Sequence, residues 1–124
     1  MNKMIFADNA PAAVGPYSHG IDTGNVFFCS GQLGLDPVSG ELKDGVREQT
    51  IQSLANLDAV LGAAGYDKTN VVKTVVFIKN MNDFGTVNEV YAEYFGGHKP
   101  ARSCVEVARL PKDGLIEIEC IAVK

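Results

Sequence analysis

Val71-Val72-Lys73-Thr74-Val75-Val76-Phe77-Ile78 is β-branched and apolar along almost its whole length, the mark of a strand in the interior of a sheet. Helical periodicity flanks it on both sides. Upstream, over about 46–64, Ile51, Leu54, Leu57, Leu61 and Ala64 recur every three to four residues. Glu48, Gln52 and Asp58 lie off that stripe, and Gly65 supplies a stop. Downstream, Asn82 or Asp83 is placed to cap a second helix with Phe84, Val87, Tyr91 and Tyr94 or Phe95 on one side, ended by Gly96-Gly97. Val26-Phe27-Phe28-Cys29-Ser30 reads as a short buried strand, and a further strand is expected near Tyr17 to Ile21. Pro37 to Gly40 and Pro111 to Gly114 are turn signals. Two strands close the chain, from about Arg102 to Ala108 and from about Leu115 to Val123. The order is β-β-α-β-α-β-β, which predicts an α+β sandwich: one mixed β-sheet with two helices on one face. The other face of the sheet needs a cover, and self-association supplies one.

The last two strands, taken as a hairpin, have a register that can be argued, because directly opposed residues share a face. The first strand puts Arg102, Cys104, Glu106 and Ala108 on one side and Ser103, Val105 and Val107 on the other. The second puts Glu117 and Glu119 on one side and Ile116, Ile118 and Cys120 on the other. Matching apolar with apolar sets Val107 opposite Ile118 and Val105 opposite Cys120. Arg102, Cys104, Glu106, Glu117 and Glu119 then share the face away from the helices, on pattern alone a solvated, charged one. In this register Glu117 lies six residues along from Arg102, or about 20 Å. A neighbouring subunit would have to supply one of the two for both to meet the same small molecule.

The 124 residues are expected to form one domain spanning 1–124. Hydrophobic residues make up 46% and charged residues 21%, a globular balance that argues against disorder. Fifteen acidic against eleven basic residues give a net charge of −4 with no basic stripe, so nucleic acid is a poor candidate partner. The three cysteines, Cys29, Cys104 and Cys120, lack C-x-x-C spacing, and only His19 and His98 could assist them, so no metal site is expected. Free thiols suit a reducing compartment. Met1 to Asp8 holds a lone Lys and no long apolar run, which is neither signal peptide nor membrane anchor. A cytoplasmic protein with no membrane partner is expected. Ser30, His19 and an Asp have no G-x-S-x-G elbow around them, and no phosphate-binding G-x-x-x-x-G-K-[ST] loop is present.

Several stretches carry a resemblance that extends over essentially the whole chain. They are Ala10-Pro11-Ala12-Ala13-Val14-Gly15-Pro16-Tyr17-Ser18, Ser30-Gly31-Gln32, and Asn82-Asp83-Phe84 with Val87-Asn88. The most specific is Pro100-Ala101-Arg102-Ser103-Cys104-Val105-Glu106-Val107, followed by Leu110-Pro111 and Ile116-Glu117-Ile118-Glu119. Together they resemble the RidA family (YjgF/YER057c/UK114) of enamine/imine deaminases. The resemblance implies a chorismate-mutase-like fold, a ferredoxin-like sandwich, assembled as a homotrimer with clefts between subunits. It implies hydrolysis of 2-enamine and 2-imino acids such as 2-aminoacrylate and 2-iminobutyrate to 2-keto acids and ammonia, with no cofactor. These substrates arise from pyridoxal-phosphate-dependent dehydratases.

The resemblance also assigns residues. Arg102 matches the arginine that clamps the substrate carboxylate, a role suited to the two parallel N–H bonds of a guanidinium; a surface salt bridge to Glu106 is the structural alternative. Glu117 matches the acid that orients or deprotonates the attacking water, although Glu119 is an equal choice by pattern alone. Tyr17 is a hydrogen bonder or wall of the cleft, Ser30 and Gly31 line it, and Gly31 allows close backbone approach. Asn88 and Phe84 come from the second helix. Cys104 shares a strand face with Arg102 and reads as a pocket wall, with no His beside it in sequence to activate it. Cys29 and Cys120 are assigned to the core. The loop Gly96-Gly97-His98-Lys99 is shorter than in many members, which bears on substrate preference. Two other readings belong to different classes: a trimer that binds 2-keto acids without catalysis, and a ribonuclease or translation inhibitor.

Overall fold

Six strands pair into one sheet in the order β1-β2-β3-β6-β4-β5. They are β1 (Lys3–Ile5), β2 (Gly20–Asp22), β3 (Val26–Leu33), β4 (Val71–Ile78), β5 (Ala101–Glu106) and β6 (Ile116–Val123). Helices α1 (Gly45–Ala63) and α2 (Phe84–Phe95) complete the fold in this computed structural model, which describes residues 1–124. The mixed α+β architecture is as the sequence predicts, with one strand more: β1 adds an N-terminal edge strand against β2. The strand expected near Tyr17 begins three residues later, at Gly20. No helix is long and apolar enough to cross a membrane.

The end of the chain is not a hairpin. β4 lies between β5 and β6, parallel to the first and antiparallel to the second. Ile118 stands opposite Val76 and Cys120 opposite Thr74, while Val105 stands opposite Phe77. The physical reason lies in the two connections. β4, α2 and β5 form a crossover unit, and a helical crossover returns the chain parallel. The segment from 107 to 115 is then long enough to step over β4 and bring β6 to its other edge. β4 thus gains two neighbours, as its β-branched, apolar run requires.

This pairing redistributes the faces. Arg102, Cys104 and Glu106 are opposite Thr74, Val76 and Ile78, all fully buried on the helix side. Glu117 and Glu119 are opposite Phe77 and Val75, on the face the helices leave bare. The expectation that Arg102, Cys104 and Glu117 share one face is therefore wrong. The pairing also lies through a third strand, so the 20 Å separation gives way to a different one. Arg102 and Glu117 are offset by three residues along β4 and two strands across it, about 14 Å, and they point to opposite sides.

The core holds 19 buried apolar residues, including Phe27, Leu54, Leu57, Val60, Leu61, Val76, Ile78, Val87, Ile116 and Ile118. On α1 the expected stripe is buried at Leu54, Leu57 and Leu61, but Ile51 is 46% exposed. Polar side chains occupy the rest of that inner face. Ser53 Oγ donates to the Gln32 carbonyl at 2.7 Å, and Asn56 Nδ2 donates to Leu33 and Leu35 at 3.1 and 2.9 Å. Gln49 Oε1 accepts from Leu115 N at 2.9 Å. These bonds give the end of β3 and the residue before β6 side-chain partners from α1. α1 stops at Gly65, whose φ of +80° suits the left-handed stop. α2 starts differently from expectation: neither Asn82 nor Asp83 caps it with a side chain, and Asn80 instead caps the preceding short turn. Leu57, fully buried, is expected to cost about 3 kcal/mol when cut to alanine. Urea unfolding at fixed protein concentration measures this; a loss under 1 kcal/mol would contradict the packing.

Candidate functional site

The residues singled out in sequence fall into two groups. Tyr17, Ser30, Gly31 and Glu117 line one cavity of about 500 Å³, together with Pro11, His19 and Lys112. Arg102 and Asn88 line another of about 410 Å³, with Tyr91 and Lys99. Cys104 lies two residues along β5 from Arg102, on the same side of the sheet.

The first group is built by a fault in the sheet. β3 pairs with β6 in register from Val26 to Cys29, then shifts before Gln32 resumes opposite Ile118. The bulge carries Ser30 and Gly31, and bulges re-aim side chains beside functional sites. The Ser30 hydroxyl donates to the Ser18 carbonyl at 2.7 Å, which leaves its oxygen free to accept. At Gly31 a Cβ would stand 2.8 Å from Glu117 Cδ, so only glycine lets that carboxyl group lie against the bulge. Burial, then the like charge of Glu119, pushes the Glu117 carboxyl above the usual carboxylate range. Glu117 is thereby distinguished from Glu119, which the sequence pattern left equivalent.

His19, which has no nucleophile elbow to serve, has a structural task. It is 3% exposed, its Nδ1 accepts from Ala7 N at 2.8 Å, and its Nε2 reaches the Pro11 carbonyl at 2.8 Å. With both ring nitrogens engaged, it anchors the loop that walls the cavity above Tyr17. Tyr17 itself is 48% exposed, a wall residue available to a partner.

The second group centres on a guanidinium. Arg102 Nη1 donates to Asn88 Oδ1 at 2.7 Å, and the guanidinium lies over the rings of Tyr91 at 4.9 Å and Phe84 at 5.5 Å. No carboxylate pairs with it. The three salt bridges of the molecule involve other residues, and the Glu106 carboxylate accepts from Met81 N instead. Tyr91 is in turn fixed by its hydroxyl's 2.7 Å contact with Thr74 Oγ1. The arginine is thus oriented, stacked and left without an anion. At Cys104, burial outweighs the nearby Arg102 and pushes the thiol up, so at neutral pH it is a wall rather than a thiolate nucleophile.

The model of the family described as endoribonuclease L-PSP matches residues 7–124. The chain belongs to this family, RidA/YjgF. This RidA-family chain is 53% identical to the 2-iminobutanoate/2-iminopropanoate deaminase of Escherichia coli strain K12 over 127 residues, covering 100% of this chain and 99% of that protein. The crystal structure of the YjgF gene product from E. coli superposes with a TM-score of 0.95 at 51% identity, covering 98% of each chain. That of E. coli TdcF with bound serine gives 0.95 at 47%, again over 98% of each.

Sequence reasoning missed Tyr91 as a support for Arg102 and placed it in the helix core. Phe84, Asn88 and Tyr91 follow one another at four and three residues on α2, and that spacing could have shown the cradle. Gly31→Ala is expected to displace the Glu117 carboxyl toward water and to move its titration down toward the ordinary carboxylate range. NMR titration of the Glu117 side chain measures this; an unmoved titration would show that Gly31 does not shape the site.

Proposed function

We propose that this chain hydrolyses small 2-enamine and 2-imino acids to 2-keto acids and ammonia, as a 2-iminobutanoate/2-iminopropanoate deaminase. The relative of that name shares 53% of its residues over the full length of this chain. In this reading residues 1–124 form one domain of chorismate-mutase-like fold, which works as a cytoplasmic homotrimer and removes the reactive products of dehydratases.

The single observation that carries the proposal is the unpaired guanidinium of Arg102, oriented by Asn88 and stacked on two rings. It is prepared for a planar anion, and a 2-imino acid brings a carboxylate next to its reactive carbon. A second observation bears on assembly. Phe28, Val105 and Val123 are 48%, 44% and 38% exposed on the sheet face opposite the helices. An apolar face of this kind is expected to be covered by another copy. Assembly through it would bring Arg102, Asn88 and Cys104 of one subunit toward Tyr17, Ser30, Gly31 and Glu117 of the next, which one chain's geometry keeps apart.

The chemistry then divides between the two sides. Arg102 holds the carboxylate and so fixes the imine carbon. Glu117, as carboxylate, takes a proton from water while the oxygen adds to that carbon. That proton passes to nitrogen to give a carbinolamine; the same carboxylate then carries the hydroxyl proton to nitrogen, the C–N bond breaks, and ammonia leaves as the keto group forms. Ser30 Oγ is free to accept an N–H of the substrate, and the family's bound-serine structure shows a small amino acid with a relative of this chain.

Arg102→Ala and Glu117→Gln are each expected to lower kcat/KM at least 100-fold on imines generated by a threonine dehydratase, against the spontaneous rate. Mixed and refolded together, the two inactive chains should regain about a quarter of wild-type sites, because a site drawing one residue from each neighbour is whole one time in four. No recovery would place both residues in a site within one subunit. Glu117 as base puts the acid limb of kcat/KM above the ordinary carboxylate range, as its raised pKa requires, and Glu117→Gln should abolish that limb. Keto acid formed no faster than spontaneously by the wild type, with 2-keto acid binding lost in Arg102→Ala and kept in Glu117→Gln, would instead favour a binding protein without catalysis.

A further inference from the structure

Two of the three cysteines have no part in this chemistry, yet they face each other. Cys29 of β3 is directly opposite Cys120 of β6, at the last in-register pair before the bulge. Both are buried, at 6% and 3% exposure, and both are free thiols on the helix side of the sheet. The ladder fixes their spacing. Lys124 N donates to the Asn25 carbonyl at 2.9 Å, and stepping by twos from that pair makes Cys29 and Cys120 a hydrogen-bonded pair. Opposed Cα atoms in such a pair stand about 5.5 Å apart, inside the ~4.4–6.8 Å that a disulfide bridges.

We infer that Cys29 and Cys120 form a modification site: an intramolecular disulfide that a peroxide closes across the two central strands. The thiolate of one cysteine attacks a peroxide oxygen, the O–O bond breaks, and water leaves with a sulfenic acid remaining on sulfur. The second sulfur attacks that sulfur, the S–O bond breaks, and a second water leaves. Two thiols and one hydrogen peroxide become one disulfide and two waters. The Cys120 sulfur and burial together push the Cys29 thiol well above the ordinary range, so the pair rests as dithiol and closes slowly. Closure clamps β3 to β6 immediately before Ser30 and Gly31 and three residues from Glu117, so it braces the bulge and leaves the cavity open. Cys104, on the edge strand β5, is outside the pair.

Trypsin separates the three cysteines into peptides 4–43, 103–109 and 113–124. The full chain would be treated with hydrogen peroxide, quenched with catalase, alkylated and digested without reduction. The expected product is peptide 4–43 joined to 113–124, two hydrogens lighter than the pair. Its appearance should accompany a rise in Tm of about 5–15 °C that dithiothreitol reverses. Recovery of Cys29 and Cys120 as alkylated thiols or as sulfinic acids, or of Cys104-linked dimers as the sole disulfide, would overturn the inference. Cys104→Ser should keep the cross-link and the shift, whereas Cys120→Ala should lose both. If Cys120→Ala does not fold, Cys29→Ser serves in its place. A Tm rise persisting in either core variant would likewise overturn it.

Discussion

The pairing of β4 with β5 on one side and β6 on the other governs everything that follows. β4 supplies the buried row Thr74, Val76 and Ile78 to the helix layer and the row Val75 and Phe77 to the bare face. β5 and β6 inherit their orientation from it. Arg102 must join Thr74 under α2, and Glu117 must join Phe77 on the opposite face. Moving Glu117 to the other face would require a one-residue slip of β6, and that slip would bury Glu117 and Glu119 in place of Ile116, Ile118 and Cys120. The separation of the two charged residues is therefore held by the hydrophobic core itself.

The bare face is shaped by a smaller constraint. Where β3 bulges, the backbone of Ser30 and Gly31 leaves the ladder and approaches Glu117, and polar side chains of α1 hold the strand ends on either side. Ser53 and Asn56 bind Gln32, Leu33 and Leu35 from within the helix. A wholly apolar α1 would bury more surface but would leave those carbonyls without donors, at a cost of about 1–3 kcal/mol each. The helix thus gives up part of its apolar stripe to secure the strand that carries the site. The φ of +57° and +59° at Lys112 and Asp113 belongs to the same rim, where the chain turns sharply into β6.

Much of this architecture could be read from periodicity. The strand from 71 to 78, both helices and the two final strands were legible, because each has its own apolar pattern. What could not be read was which strand lies beside which. A pattern of alternation shows that Ile116, Ile118 and Cys120 share a face, but β6 satisfies it equally well against β4 or β5. The short β1 was invisible for the opposite reason: three residues, two of them exposed, carry no period. At the site, Arg102, Asn88, Tyr17, Ser30, Gly31 and Glu117 were named by resemblance, and pattern alone could not separate Glu117 from Glu119. The separation comes from Gly31, whose missing side chain makes room for one of the two carboxyl groups.

Each half of the site is left electrostatically incomplete within one chain. Arg102 is a guanidinium with a hydrogen-bonding partner and two aromatic neighbours but no anion. Glu117 is a carboxyl group whose charge is opposed by burial and by Glu119. A unit charge about 4 Å from its opposite, at an effective dielectric constant near 20, gains about 4 kcal/mol. Neither residue can realise that gain with the other within one chain, because the sheet stands between them. In the proposed assembly, a substrate carboxylate held by Arg102 of one copy would present its neighbouring carbon to Glu117 of the next, satisfying the first and giving the second a proton to move. The same fold that keeps the two charges from neutralising each other also keeps them available to a substrate.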